Sequence, residues 1–151
     1  MAALVTIGVP VYKRLSFLPN VLKSISQQDF GNLELIVSDN GMNGAQLSTI
    51  IKEHYPHSFK LHQNAHVETM STHFNQIIDA ASGEYFMLLC DDDEISPNHV
   101  SHLVGLLEQS PQASMALSQQ EIIDESGVTL RRSSDNLPPL LSGPDFIKAA
   151  W

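Results

Sequence analysis

The chain has 151 residues, 42% of them hydrophobic and 17% charged, with eight glycines and eight prolines, a globular composition that excludes disordered, collagenous and fibrous classes. At this length folding buries roughly 70% of the unfolded surface, so a single domain needs no disulfide or structural metal, and the lone Cys90 has no partner for an internal bridge. Eight Lys and Arg against seventeen Asp and Glu give a net charge of −9, and without a basic stripe there is no nucleic-acid footprint.

In chain order, Leu4 to Val11 is an apolar, β-branched run expected to form a buried strand that Pro10 stops. Leu18, Val21, Leu22 and Ile25 recur at helical spacing, with Ser16 as the expected cap and Pro19 in the first turn. Leu33 to Ser38 predicts a second strand closed by Asp39-Asn40-Gly41, and Leu47, Ile50, Ile51 and Tyr55 a second helix. A short strand near Phe59 to His62 precedes a helix with Phe74, Ile77, Ile78 and Ala81 on its apolar stripe, ending at Gly83. Glu84 to Cys90 reads as the most apolar strand, buried in the sheet. Val100, Leu103, Val104 and Leu107 then predict a helix capped by Ser96 with Pro97 in its first turn.

Strands alternating with helices predict an α/β fold with a doubly wound, mostly parallel sheet and helices on both faces. Ser114 to Asp124 and Val128 to Arg132 predict a β-hairpin about Glu125-Ser126-Gly127, Ser133 to Gly143 a linker, and Pro144 to Trp151 the start of a further helix. No apolar run reaches the roughly 20 residues of a membrane span, and the N-terminus lacks a secretory leader. A cytoplasmic setting is therefore expected.

Ligands of such sheets lie at the carboxyl ends of the strands, which directs attention to Pro10-Val11-Tyr12-Lys13-Arg14, Asp39-Asn40-Gly41 and Asp91-Asp92-Asp93-Glu94. Four consecutive acids repel one another, and a cation between them relieves that cost. Carboxylate oxygens suit Mg2+ or Mn2+, held by one or two carboxylates together with substrate phosphates. The competing reading is a solvated loop whose acids favour the next helix's N-terminus. Asp39 reads first as a turn former, the commonest role of an Asp-Asn-Gly triplet, and a carboxylate at a strand end can also accept from a base or ribose. Tyr12 offers a flat face for a base, or simply packs; Lys13 and Arg14 before a helix N-terminus hint at an anionic ligand. Zinc is discounted because the paired histidines have neither a cysteine partner nor a His-Glu-x-x-His pattern. Beside the acids, the Cys90 thiol is expected to have a raised pKa, against a nucleophilic role.

VTIGVPVYKR, LELIVSDNG and NQIIDAASGEYFMLLCDDDEISPNHV, in that order, resemble the opening strand, the nucleotide-binding acid and the metal-binding loop of a family 2 glycosyltransferase. That family has the GT-A fold, a Rossmann-like sheet, and the resemblance runs from Val5 to about Ile123. It implies a nucleotide-diphosphate-sugar donor, with Pro10, Val11, Tyr12, Arg14, Asp39, Asn75 and Asp91 as nucleotide-binding residues, Asp92 and Asp93 on Mn2+ or Mg2+, and a saccharide or lipid-linked acceptor. Cys90 stands where many relatives have an acid and Phe74 where they have an Arg, a pattern similar to members serving bacterial surface polysaccharide assembly. On this reading residues 1–132 are the donor-binding core, and 133–151 are a linker and the start of an acceptor-side segment. The general base is expected beyond Trp151, as is any segment for peripheral membrane association. A non-catalytic nucleotide-sugar-binding or subunit-contacting module is the alternative, and a nucleotidyltransferase ranks lower for want of a glycine-rich basic loop.

Overall fold

Each parallel strand needs a crossover, and the chain supplies a helix for every one. The computed structural model describes residues 3–133 and 138–150. Strand β1 (Val5–Val11) is followed by α1 (Leu18–Ser26), β2 (Leu33–Asp39), α2 (Gly44–His54), β3 (Phe59–Gln63), α3 (Met70–Ala80), β4 (Tyr85–Leu88) and α4 (His99–Gln109). The strands form one parallel sheet in the order β3-β2-β1-β4. Beyond it, β5 (Glu121–Ile123) and β6 (Thr129–Arg132) pair antiparallel, and α5 (Gly143–Ala150) comes last. The chain divides into two units, Met1–Leu106 and Leu107–Trp151.

Alternation along β1 and β2 assigns the two faces of the sheet. Val5, Ile7, Val9, Val11, Leu35 and Val37 form one core with Leu18, Val21, Leu22 and Ile25 of α1, Leu47 and Ile51 of α2, and Val100 and Val104 of α4. Each fully buried aliphatic side chain contributes about 1.5–3 kcal/mol, so this face holds most of the unit together. On the other face α3 lies over Gly8, where an added Cβ would come within 2.4 Å of Ile77 Cγ2. The absent side chain at Gly8 lets α3 approach the sheet.

Several expectations need correction. Pro10 does not stop β1, which runs through it to Val11. Gly8 presents its carbonyl to Leu89 N–H at 2.9 Å on the β4 side, and the β4 ladder ends at Gly8. Two residues on, Pro10 shares that orientation, so no partner needs the N–H it lacks. Ser16 does not cap α1: Phe17 is the N-cap without a side-chain bond, and Pro19 occupies the first turn. The α3 stripe is rotated, burying His73 and Ile77 and leaving Ile78 49% exposed. His73 is tolerated because its Nε2 lies 2.8 Å from Ser38 Oγ. β4 is an edge strand with partly exposed side chains, and the most buried strand is β1. α4 begins at His99, two residues later than Pro97. The first hairpin strand covers only Glu121–Ile123, with residues 114–120 irregular. Of the expected linker, residues 134–137 lie outside the described residues, as does Trp151.

At the amino-terminal end of β2, Glu34 accepts from Thr6 Oγ1 at 2.6 Å and Ser82 N–H at 2.8 Å, and pairs with Lys60 Nζ at 2.5 Å. Burial alone would raise this carboxyl, but Lys60, Thr6 and Ser82 outweigh it and lower it from 4.5 to about 2. A depressed acid stabilises the fold fully above its unfolded pKa and loses that contribution as pH falls through the folded value. Glu34→Gln is therefore expected to cost about 1–2 kcal/mol at pH 7, allowing for solvent screening of the exposed Lys60. It should also flatten the loss of stability between pH 4.5 and about 2, measured by urea unfolding across that range.

Candidate functional site

The carboxyl ends of β1, β2 and β4 meet around the backbone of Tyr12. Asn40 N–H, just after β2, donates to Val11 O at 2.8 Å, and Asn43 Nδ2 donates to Tyr12 O. Gly41 passes so close that an added Cβ would sit 1.5 Å from Tyr12 O. On the β4 side, the Arg14 guanidinium pairs with Asp92, and the Tyr12 backbone stands near enough to the Asp91 carboxylate to favour its charged form. One short segment after β1 thus ties together the loops after β2 and β4.

Asp39 is 1% exposed. Its Oδ1 accepts from Gly41 N–H at 3.0 Å and Asn43 Nδ2 at 2.8 Å, and its Oδ2 from Asn43 N–H at 2.8 Å and Gly44 N–H at 3.0 Å. Those four donors match the roughly four lone-pair sites of a carboxylate. Asn43, the N-cap of α2, makes no side-chain cap bond of its own; Asp39 reaches forward to satisfy the first helical N–H groups instead, where a negative charge also suits the dipole. The turn-forming side of Asp39 is thus visible in the geometry.

The acid loop has one close basic partner among these contacts, Arg14, whose side chain is 56% exposed against 42% for Asp92. Burial pushes the Asp91 carboxyl above its ordinary value; the nearby Tyr12 backbone opposes this, Asp92 adds to it, and Arg14 opposes it. Burial and then Asp92 likewise raise Asp93. Cys90 is exposed on the surface but partly desolvated, and that desolvation, then Asp93, Asp92 and Asp91, push its thiol up, so it makes a poor nucleophile. Among the described residues no three His, Cys, Asp or Glu side chains converge on one point. The donor set nevertheless fits a hard divalent cation: it is all oxygen, excess negative charge makes ionisation costly, and such ions take only one or two carboxylates when phosphates complete the shell.

Of the residues singled out in the sequence, Val11, Tyr12, Arg14, Asp39, Asp91 and Asp92 are brought together by these contacts. Pro10 and Val11 are buried in the sheet, whereas Tyr12, 46% exposed, presents its ring with Lys13 Nζ 5.1 Å from the centroid. Asp93 is exposed beyond Asp92, and Asn75 is exposed on α3. Sequence reasoning missed Asn43 and the role of Gly41 in approaching Tyr12. The only signal for either was membership in the polar stretch Asp39 to Gly44.

A parallel sheet with this strand order and this cluster of strand-end loops is the GT-A class of fold. The chain belongs to glycosyl transferase family 2, whose model matches residues 6–148. It is 34% identical over 99 residues to a GalNAc(5)-diNAcBac-PP-undecaprenol beta-1,3-glucosyltransferase of Campylobacter jejuni, covering 64% of this chain and 32% of that protein. It is 30% identical over 108 residues to a putative colanic acid biosynthesis glycosyl transferase of Escherichia coli, covering 70% of this chain and 38% of the relative. Among solved structures, Staphylococcus aureus TarS 1-349 in complex with UDP-GlcNAc superposes with TM-score 0.64 at 20% identity, over 70% of this chain and 31% of that one. The mannosyltransferase PcManGT of Pyrobaculum calidifontis, in complex with GDP-Man and Mn2+, gives 0.55 at 21% identity, over 62% and 29%. At these identities the structural likeness is one of fold. The chain thus spans less than two fifths of the length of either curated relative. No helix of the described residues is long and apolar enough to cross a membrane.

Proposed function

We propose that this chain binds a nucleoside diphosphate sugar together with Mn2+ or Mg2+, as the donor-binding part of a glycosyltransferase acting in surface polysaccharide synthesis. The observation that supports it best is the meeting of the Asp39 loop, the Tyr12 segment and the acid loop at the carboxyl end of the sheet. In this reading the exposed ring of Tyr12 stacks on the base, and Asp39 meets base or ribose when a ligand donor replaces the Asn43 amide. Asp91 faces the ribose, Asn75 borders the nucleotide from α3, and Asp92 with Asp93 holds the cation. When bound, the cation neutralises charge on the leaving diphosphate.

Arg14 has two roles to reconcile. It neutralises Asp92, and a diphosphate offers it a stronger, bidentate anion. Asp92 is then free to serve the cation, so the ion pair marks where charge is exchanged on binding. The acceptor, a saccharide or lipid-linked glycan as the Campylobacter relative's name suggests, belongs to the whole protein.

A thermal-shift panel of UDP, GDP, CDP and dTDP sugars, each with and without Mn2+, tests the reading. A ligand that binds only the folded state adds about 2.7 kcal/mol of stability at 100 times its Kd. At least one nucleotide is expected to raise Tm with Mn2+ and much less without. No rise with any of them contradicts the proposal.

A further inference from the structure

Outside the proposed donor contacts, the Asn40 side chain makes three hydrogen bonds to one segment of the chain. It is 5% exposed, and its amide makes three of its four possible hydrogen bonds with the segment between β3 and α3. Its Nδ2 donates to Glu68 O at 3.0 Å, while its Oδ1 accepts from Glu68 N–H at 2.8 Å and from Asn64 Nδ2 at 2.9 Å. Its backbone N–H reaches the other way, to Val11 O at 2.8 Å, and Asn64 N–H donates to Asp39 O at 3.0 Å. One residue therefore ties the end of β1 to residues 64–68 across the end of β2. A paired donor and acceptor on Glu68 mimics a strand rung, so the 64–68 segment is held as if the sheet continued past β3.

The same clamp fixes the start of α3. Thr69 is the N-cap of that helix and accepts from Thr72 N–H at 3.3 Å. One turn on, His73 docks on Ser38, two residues before Asn40. The 64–68 segment itself carries an exposed Val67, and His66 Nε2 lies 2.8 Å from Glu68 Oε1. It stands beside the Asp39 loop on the side away from the acid loop, because β3 and β4 flank opposite sides of β1 and β2. We infer that Asn40 is a positioning residue for nucleoside recognition: it holds residues 64–68 as the wall beside Asp39 against which the base is read. This rests on the proposed donor binding. It assigns the choice of base to the β3–α3 segment and leaves the diphosphate to the acid loop.

The placement separates two contributions that an experiment can read independently. In the 151-residue chain, uridine, guanosine, UDP and GDP are titrated with Mn2+ into wild type, Asn40→Ala, Asn40→Asp and Asn64→Ala, at a temperature well below each unfolding midpoint. Asn40→Ala is expected to weaken the preferred nucleoside and its diphosphate by the same factor, about tenfold or more, while the gain from nucleoside to diphosphate stays at the wild-type ratio. Asn40→Asp keeps both acceptor bonds but sets a buried carboxylate oxygen against Glu68 O where Nδ2 had donated, so its loss should be at least as large as that of Asn40→Ala. Asn64→Ala removes one bond of the three and should show a smaller parallel loss even where Asn40→Ala does not fold. A purely structural role lowers Tm and leaves these affinities alone. Unchanged affinity in the folded variants, or a loss confined to the diphosphate, overturns the inference alone. Failure of wild type to bind any of the four overturns the donor-binding proposal and the inference with it.

Discussion

Asp92→Ala is expected to lower nucleoside diphosphate affinity in Mn2+ by on the order of 100-fold, equivalent to about 2.7 kcal/mol, while leaving the chain folded. The stability side of this argument is a difference of small terms. The Arg14–Asp92 pair is exposed on both sides, and such pairs contribute about 0–1 kcal/mol. Against that loss, Asp92 raises the carboxyls of both Asp91 and Asp93, so its removal relieves repulsion. Binding has no such offset, because the proposed cation loses a principal carboxylate. Calorimetric titration should show the affinity of the variant nearly independent of Mn2+. An affinity that still rises with Mn2+ as in wild type would mean that the cation is held elsewhere.

Gly41→Ala should be the most damaging single-methyl change in the unit. The added carbon would sit 1.5 Å from Tyr12 O and 2.3 Å from Tyr12 C, both backbone atoms that no rotamer change can move. The flanking chain has little room to yield, since Asn40 is bonded to Val11 O and Asn43 to Tyr12 O. The loop after β2 must then separate from the segment after β1, which costs more than about 3 kcal/mol and abolishes nucleotide binding. Gly31→Ala is the matched control, because nothing lies within 4 Å of its Cβ position. Urea unfolding that places both variants at the same midpoint would refute the packing argument.

The fold was legible where a residue's neighbours in sequence also decide its burial. All four α1 stripe residues are buried at 0–1% exposure, because a 3.6-residue period against a flat sheet leaves one solution. The α3 stripe was not legible for a tertiary reason: Gly8 opens a slot for Ile77, and Ser38 offers the imidazole of His73 a partner, neither of which lies near α3 in sequence. β4 looked central by composition, yet strand order places it at the edge, and composition carries no strand order. Pro10 misled because the rule against proline in a strand applies only where its N–H would face a partner.

The site divides in the same way. Acids after a strand, a Tyr-Lys-Arg run and Asp-Asn-Gly were visible as chemistry, and the pairing of Arg14 with Asp92, 78 residues apart, shows which of them meet. Asp39 stood in the sequence as turn former or ligand, and its saturated hydrogen bonding makes it a turn former that a ligand must compete with. The Asn40 clamp left no trace beyond an ordinary turn triplet, because its partners Asn64 and Glu68 are separated from it by all of α2 and β3.

The central claim is that a divalent cation at the acid loop brings a diphosphate to a chain of net charge −9. Isothermal titration of the preferred nucleoside diphosphate into wild type, once in Mn2+ and once in EDTA at equal ionic strength, tests it most directly. The account predicts a fall in affinity of at least tenfold in EDTA, with the bare nucleoside binding equally in both buffers. Equal affinity of the diphosphate in Mn2+ and in EDTA would contradict it.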